Sequence, residues 1–187
     1  MLLAIASALL ASIGIYFGSS YLFLGSLLLS PFANPLLSTI YLFKAKHYRL
    51  VLTGCKVISV ISVVMLVVGL IVFMMLKNEY KFPPSPSELI VTKEVIMLIS
   101  LVVGMIGMFL WCRKSQADII IGFLFSIALL QPLINISASL VFDDSIRLGA
   151  NFMVITINLL GIIIGAWLVL VSKKLLGKVR CNRKKNL

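Results

Sequence analysis

Long apolar stretches alternate with short polar ones along this chain, and the period of that alternation is the width of a lipid bilayer. A helical crossing needs about 20 mostly apolar residues at about 1.5 Å each. Four stretches meet this directly: 50–76, 95–112, 119–142 and 150–172. The first is interrupted by Lys56 near its start, the third stops at Asp143-Asp144, and the last ends against Lys173-Lys174. None has the apolar/polar alternation of a barrel strand.

Residues 1–43 carry no charged side chain. Span length favours one helix over about 2–30, ended by Pro31 and Pro35 in SPFANP. Leu36–Phe43 then follows as a short membrane-depth or interfacial segment. The competing pattern breaks at Gly18-Ser19-Ser20 and crosses twice, through a short first helix and a tight turn. No basic segment precedes the apolar run, so a cleaved signal peptide is not expected. The expected fold is therefore all-α: a polytopic transmembrane helix bundle of five spans, or six if residues 1–43 cross twice. Apart from Lys77–Glu94, which holds FPPSPSE and reads as a stiff connector, the loops are only a few residues long. The chain reads as a single transmembrane domain over 1–187 with a basic tail at 173–187.

Composition agrees with this class. Of 187 residues, 61% are apolar and only 12% charged, far from the balance of a soluble domain. Three scattered cysteines exclude a disulfide scaffold.

Charge sets the expected orientation. With five spans, thirteen of the 17 Lys and Arg residues fall on one side and four on the other. The rich side is expected in the cytoplasm, with the C-terminus there and the N-terminus outside; a sixth span would move the N-terminus inside. Cys55, Cys112 and Cys181 all fall on the rich side, which suits a reducing compartment. Topology accounts for the net charge of +11, so no nucleic-acid partner is expected. The tail residues Lys173, Lys174, Lys178, Arg180, Arg183, Lys184 and Lys185 are candidates for contact with anionic lipid headgroups. A bacterial or archaeal plasma membrane is the favoured location. The ending Lys184-Lys185-Asn186-Leu187 resembles the dilysine retrieval signal of eukaryotic membrane proteins, which keeps the endoplasmic reticulum open.

Small residues mark candidate helix-packing faces, because close approach rather than apolar burial drives helix pairing in lipid. Ala4, Ser7, Ala11, Gly14, Gly18 and Gly25 follow steps of three and four, a seam that reads as one continuous helix. Gly161 and Gly165 form a GxxxG pair in the last span. Either set can serve packing within the chain or a homo-oligomer.

No ionisable side chain lies at the centre of an expected span. Proton-coupled carriers and intramembrane enzymes usually keep one there. No catalytic residue, metal site or cofactor is expected. His47, the single histidine, sits in a basic loop. Uncharged polar groups do form a pattern. Gln131, Asn135 and Ser139 share one helix face beside Pro132, and Asn158 is expected opposite Asn135 at one depth. They offer either an interhelical hydrogen bond or the lining of a small cavity. The expected function is non-enzymatic: a subunit, stabiliser or regulator of a larger membrane complex acting through helix contacts. The alternative is a small carrier or channel for a neutral or hydrophobic solute or lipid.

Overall fold

The computed structural model describes residues 1–77, 93–112 and 118–175. Every element among them is helical: α1 Leu2–Tyr16, α2 Ser20–Leu29, α3 Ala33–Lys44, α4 Tyr48–Leu76, α5 Lys93–Cys112, α6 Asp118–Val141 and α7 Ser145–Leu175. The last four are long and apolar enough to cross a membrane, and α2 with α3 makes a fifth candidate if the bent pair is one span. The FPPSPSE segment, Arg113 and Lys114, and the residues beyond Leu175 lie outside the described residues.

The four long helices run up and down in turn. Ser137 of α6 donates to the Leu66 carbonyl of α4 at 3.1 Å, and Phe73 meets Phe142 at 6.4 Å between ring centroids. Residue numbers rise together along this pair, so α4 and α6 are parallel. The same holds for α5 and α7, where Gly161 faces Met97–Leu101 and Gly165 faces Leu101–Met105. Although consecutive, α4 and α5 are not packed neighbours; α6 lies between α4 and the α5–α7 pair and touches α1 to α5 and α7. Its apolar stretch is 67% buried, against 22% for α4, so α6 is the axis of the bundle and α4 faces outward.

Glycine makes the α5–α7 contact possible. A Cβ on Gly104 would collide with the Ile162 carbonyl, and one on Gly165 with the Leu101 carbonyl. One on Gly161 would come within 2.7 Å of the Ser100 Cβ. Backbones this close gain dispersion contacts that lipid tails cannot match. The GxxxG pair is thus spent inside the chain.

The first 30 residues correct the expectation of one helix. The chain stops at Tyr16, turns through Phe17–Ser19 with Gly18 at φ +64°, and returns as α2. Only glycine takes that conformation without cost. Packing favours the turn: Ala4, Ser7, Ala11 and Gly14 are buried, and a Cβ on Gly14 would lie 2.8 Å from the Phe23 amide of α2. The small-residue seam therefore ends at Gly14. Gly18 belongs to the turn, and Gly25 has nothing within 4 Å of its Cβ position.

The turn also changes where the chain begins. The Tyr16 hydroxyl donates to the Leu76 carbonyl at 2.9 Å, joining the C-terminal ends of α1 and α4. Because α1 also packs along α4, the two run in the same sense, and Met1 lies toward the end of the bundle where α4 starts. A single first span would have placed Met1 at the opposite end.

α3 is the short segment expected at 36–43, extended to Ala33–Lys44. It packs on α4, α5, α6 and α7 near one end of the bundle. Tyr41 meets Trp111 at 5.7 Å, Phe43 meets Trp167 at 6.0 Å, and the Lys44 ammonium donates to the Leu170 carbonyl. At the other end Asp144 caps α7: its Oδ1 accepts from the Arg147 amide at 3.0 Å and its Oδ2 pairs with Arg147 Nε. This N-cap starts α7 at Ser145, a turn before the expected 150.

Candidate functional site

The expected intramembrane patch does not assemble as drawn. Gln131, Asn135 and Ser139 do share a face of α6, but Ser139 is buried and donates to the Asn135 carbonyl one turn back, at 2.8 Å. Asn158 sits elsewhere. Its amide donates to the Ala128 carbonyl at 2.6 Å, and its Oδ1 accepts from the Ser100 hydroxyl at 2.5 Å. The reason is the early start of α7. Asn158 is thirteen residues into α7, and Ala128 is thirteen residues from the end of α6, so these two are level. Asn135 lies about 10 Å further along.

The Ala128–Asn158 contact has a specific cause. Inside α6, Pro132 has no N–H to give to the carbonyl four residues earlier, which is that of Ala128. A carbonyl freed at membrane depth needs a donor. Asn158, only 6% exposed, supplies it from α7, and Ser100 of α5 fixes the amide in turn. Gln131/Asn135/Ser139 and Asn158 are therefore two separate polar sets, and the second is fully engaged in holding helices together. Sequence reasoning missed Ser100. The available signal was the proline, whose freed acceptor asks for a polar partner on a neighbouring helix.

A different place leaves polar groups without partners. α2 ends at Leu29, α3 begins at Ala33, and the two axes bend by 42° at the break. The Ser30 hydroxyl is buried there and bonds to no protein atom, while its own amide donates to the Leu27 carbonyl. α3 has no side-chain cap. Leu36 donates back to the Phe32 carbonyl and Pro35 has no N–H, which leaves the amides of Phe32 and Ala33 without a carbonyl acceptor. Those residues are 2% and 6% exposed. The break between α2 and α3 thus holds one buried, unpartnered hydroxyl and, on buried residues, two amides without a carbonyl acceptor, beside Gly122 of α6, whose Cβ position lies 3.9 Å from the Ser30 carbonyl. Orphaned buried N–H groups are rare because each costs as much as a lost hydrogen bond. The prolines of SPFANP announce the interruption; the missing partners become visible only once α6 is packed against it.

Lys173 and Lys174 continue α7, while Lys178, Arg180, Arg183, Lys184 and Lys185 lie outside the described residues. Among the described residues no group of His, Cys, Asp or Glu is arranged to hold a metal.

No curated protein and no solved structure matches this chain. A family model does, over residues 27–164, a stretch that starts just before the α2–α3 break and takes in α3 to α6 and most of α7. The chain belongs to the family described as domain of unknown function DUF389.

Proposed function

We propose that this protein is a small membrane carrier or channel whose solute binds at the broken α2–α3 element. The observation that carries the reading is the buried, unpartnered Ser30 hydroxyl in that break, next to the Phe32 and Ala33 amides, which have no carbonyl acceptor. Discontinuous helices at membrane depth are tolerated where they meet protein or a water-filled cavity, and transporters build their sites from them. The rival reading, a subunit or regulator acting through helix contacts, drew on small-residue seams. Those seams are filled within the chain by α1 with α2 and by α5 with α7. The basic end, with Lys44, Lys46, Arg49 and Lys56, faces the cytoplasm of a plasma membrane, against anionic lipid.

Aqueous access to the break is the test. In a background lacking the native cysteines, Ser30→Cys is treated in sealed vesicles with a small hydrophilic thiosulfonate. A solute path predicts labelling at residue 30 and none at Ser26→Cys, whose serine is buried within α2 and bonded to Phe23. Labelling at residue 30 only after denaturation would overturn the reading. A stoichiometric partner in a mild-detergent pull-down, together with a sealed break, would restore the subunit reading.

A further inference from the structure

The chemistry of the break narrows what it can hold. Resting on the carrier reading, we infer that the solute is a small inorganic anion, bound by the Ser30 hydroxyl and the amides of Phe32 and Ala33.

All three groups are donors that lack acceptors, and all belong to buried residues. A ligand that satisfies them must present acceptors. The amides open α3, a helix of 12 residues, so its N-terminal partial positive charge adds to the direct bonds. The last carbonyls of α2 oppose that charge: Ser30 engages that of Leu27, while those of Leu28, which is exposed, and Leu29, which is half-buried, take no backbone donor. Unpaired carbonyls are also cheaper to leave than unpaired N–H groups.

Long-range charge points the same way. The break lies beside Gly122, one turn from the start of α6, near the end of the bundle where α4 begins. That end carries Lys44, Lys46, Arg49 and Lys56. Of the acidic residues among those described, Asp118 opens α6 at this same end, while Glu94, Asp143 and Asp144 belong to the opposite end, where α5 and α7 begin, so the four basic residues outnumber the one acid here. A basic rim raises the local anion concentration at the mouth of a low-dielectric site. This differs from the neutral solute that the intramembrane amides alone would suggest, and Asn158 is already committed to Ala128.

Chloride is the probe. The purified full chain is melted in detergent with sodium chloride against sodium gluconate at equal ionic strength, then reconstituted for uptake of radioactive chloride and of radiolabelled urea. The inference expects a saturable chloride-dependent rise in Tm and saturable chloride uptake. Ser30→Ala should weaken the chloride midpoint about 10- to 100-fold, the loss of one hydrogen bond to a charged ligand. Ser30→Thr should restore most of it. Because the hydroxyl bonds to no protein atom, Ser30→Ala should melt in gluconate at or above the wild-type temperature, so misfolding is separable from lost binding.

Urea uptake without any chloride effect would overturn the anion while leaving the carrier reading in place. A sealed break in the labelling experiment, with neither solute moving, would overturn both. A chloride effect equal in wild type and Ser30→Ala would place the ion elsewhere and overturn the assignment to the break. No chloride effect with an open break would mean that water alone satisfies the three donors, which also overturns it.

Discussion

Asn158 completes a hydrogen bond that Pro132 breaks: its side-chain amide reaches the Ala128 carbonyl, four residues before the proline, at 2.6 Å. The kink in α6 and the polar residue in α7 are therefore one device, with Ser100 of α5 as its third member. It ties three of the long helices together at one level.

Removing Asn158 should therefore cost more when Pro132 is present. Asn158→Ala is expected to lower unfolding stability by about 1 kcal/mol, within the range for interhelical hydrogen bonds in lipid. In a Pro132→Ala background residue 132 regains its N–H and can serve the Ala128 carbonyl. There the same substitution should cost clearly less. Denaturation of all four variants in mixed micelles gives the coupling directly. Equal losses in the two backgrounds would mean that the proline and the amide are independent.

The glycines of the α5–α7 contact differ sharply from Gly25. Gly165→Ala puts a methyl group against the Leu101 carbonyl, which is backbone and cannot rotate away. The helices must separate, at about 1–3 kcal/mol, the usual cost of overpacking. Gly25→Ala meets nothing within 4 Å and removes glycine from a helix interior, so it should be neutral or stabilising by up to about 1 kcal/mol. Thermal melts in detergent should rank the two on opposite sides of the wild type. A neutral Gly165→Ala would show that the two backbones are not held so close.

How much of this was legible beforehand differs from element to element. The four long spans are recovered within five residues at each end, because about 20 apolar residues in lipid have few alternatives to a helix. The first 30 residues were not. Length favoured one helix, and the steps of small residues from Ala4 to Gly25 fitted it. A seam of small residues suits a partner folded back on it just as well, and Gly18 supplies the turn. The sequence puts Asn158 at the wrong depth because residues 143–149 read as a loop, although an Asp before an apolar run is an N-cap signal. Individual hydrogen bonds depend on register between helices, and a shift of five residues at the start of α7 moves Asn158 by about 7 Å.

The α1–α2 hairpin makes two substitutions informative. Tyr16→Phe keeps the ring and loses the bond to the Leu76 carbonyl, which should cost about 1 kcal/mol. Gly18→Ala forces a side chain into φ +64°, with open space around it, so its cost of about 1 kcal/mol comes from the backbone alone. Loss of stability in both variants, read by thermal unfolding in detergent, supports a turn at Gly18. If Gly18→Ala were as stable as wild type or more so, residues 2–29 would be better described as one continuous helix.

The last prediction concerns sidedness, which combines the charge rule with the hairpin. Cys55 is exposed, one residue before Lys56 and two turns into α4, at the end of the bundle richest in Lys and Arg. That end is expected in the cytoplasm. With Cys112 and Cys181 replaced by Ala, a membrane-impermeant maleimide should label Cys55 in inverted vesicles and not in intact cells. The hairpin adds a condition that five simple spans would not. Because α1 and α4 run in the same sense, an epitope fused ahead of Met1 should be reached from the side that reaches Cys55. Labelling of Cys55 from outside would reverse the whole orientation. Cys55 from inside with the epitope outside would leave the charge rule intact and remove the hairpin, returning residues 2–30 to one crossing helix.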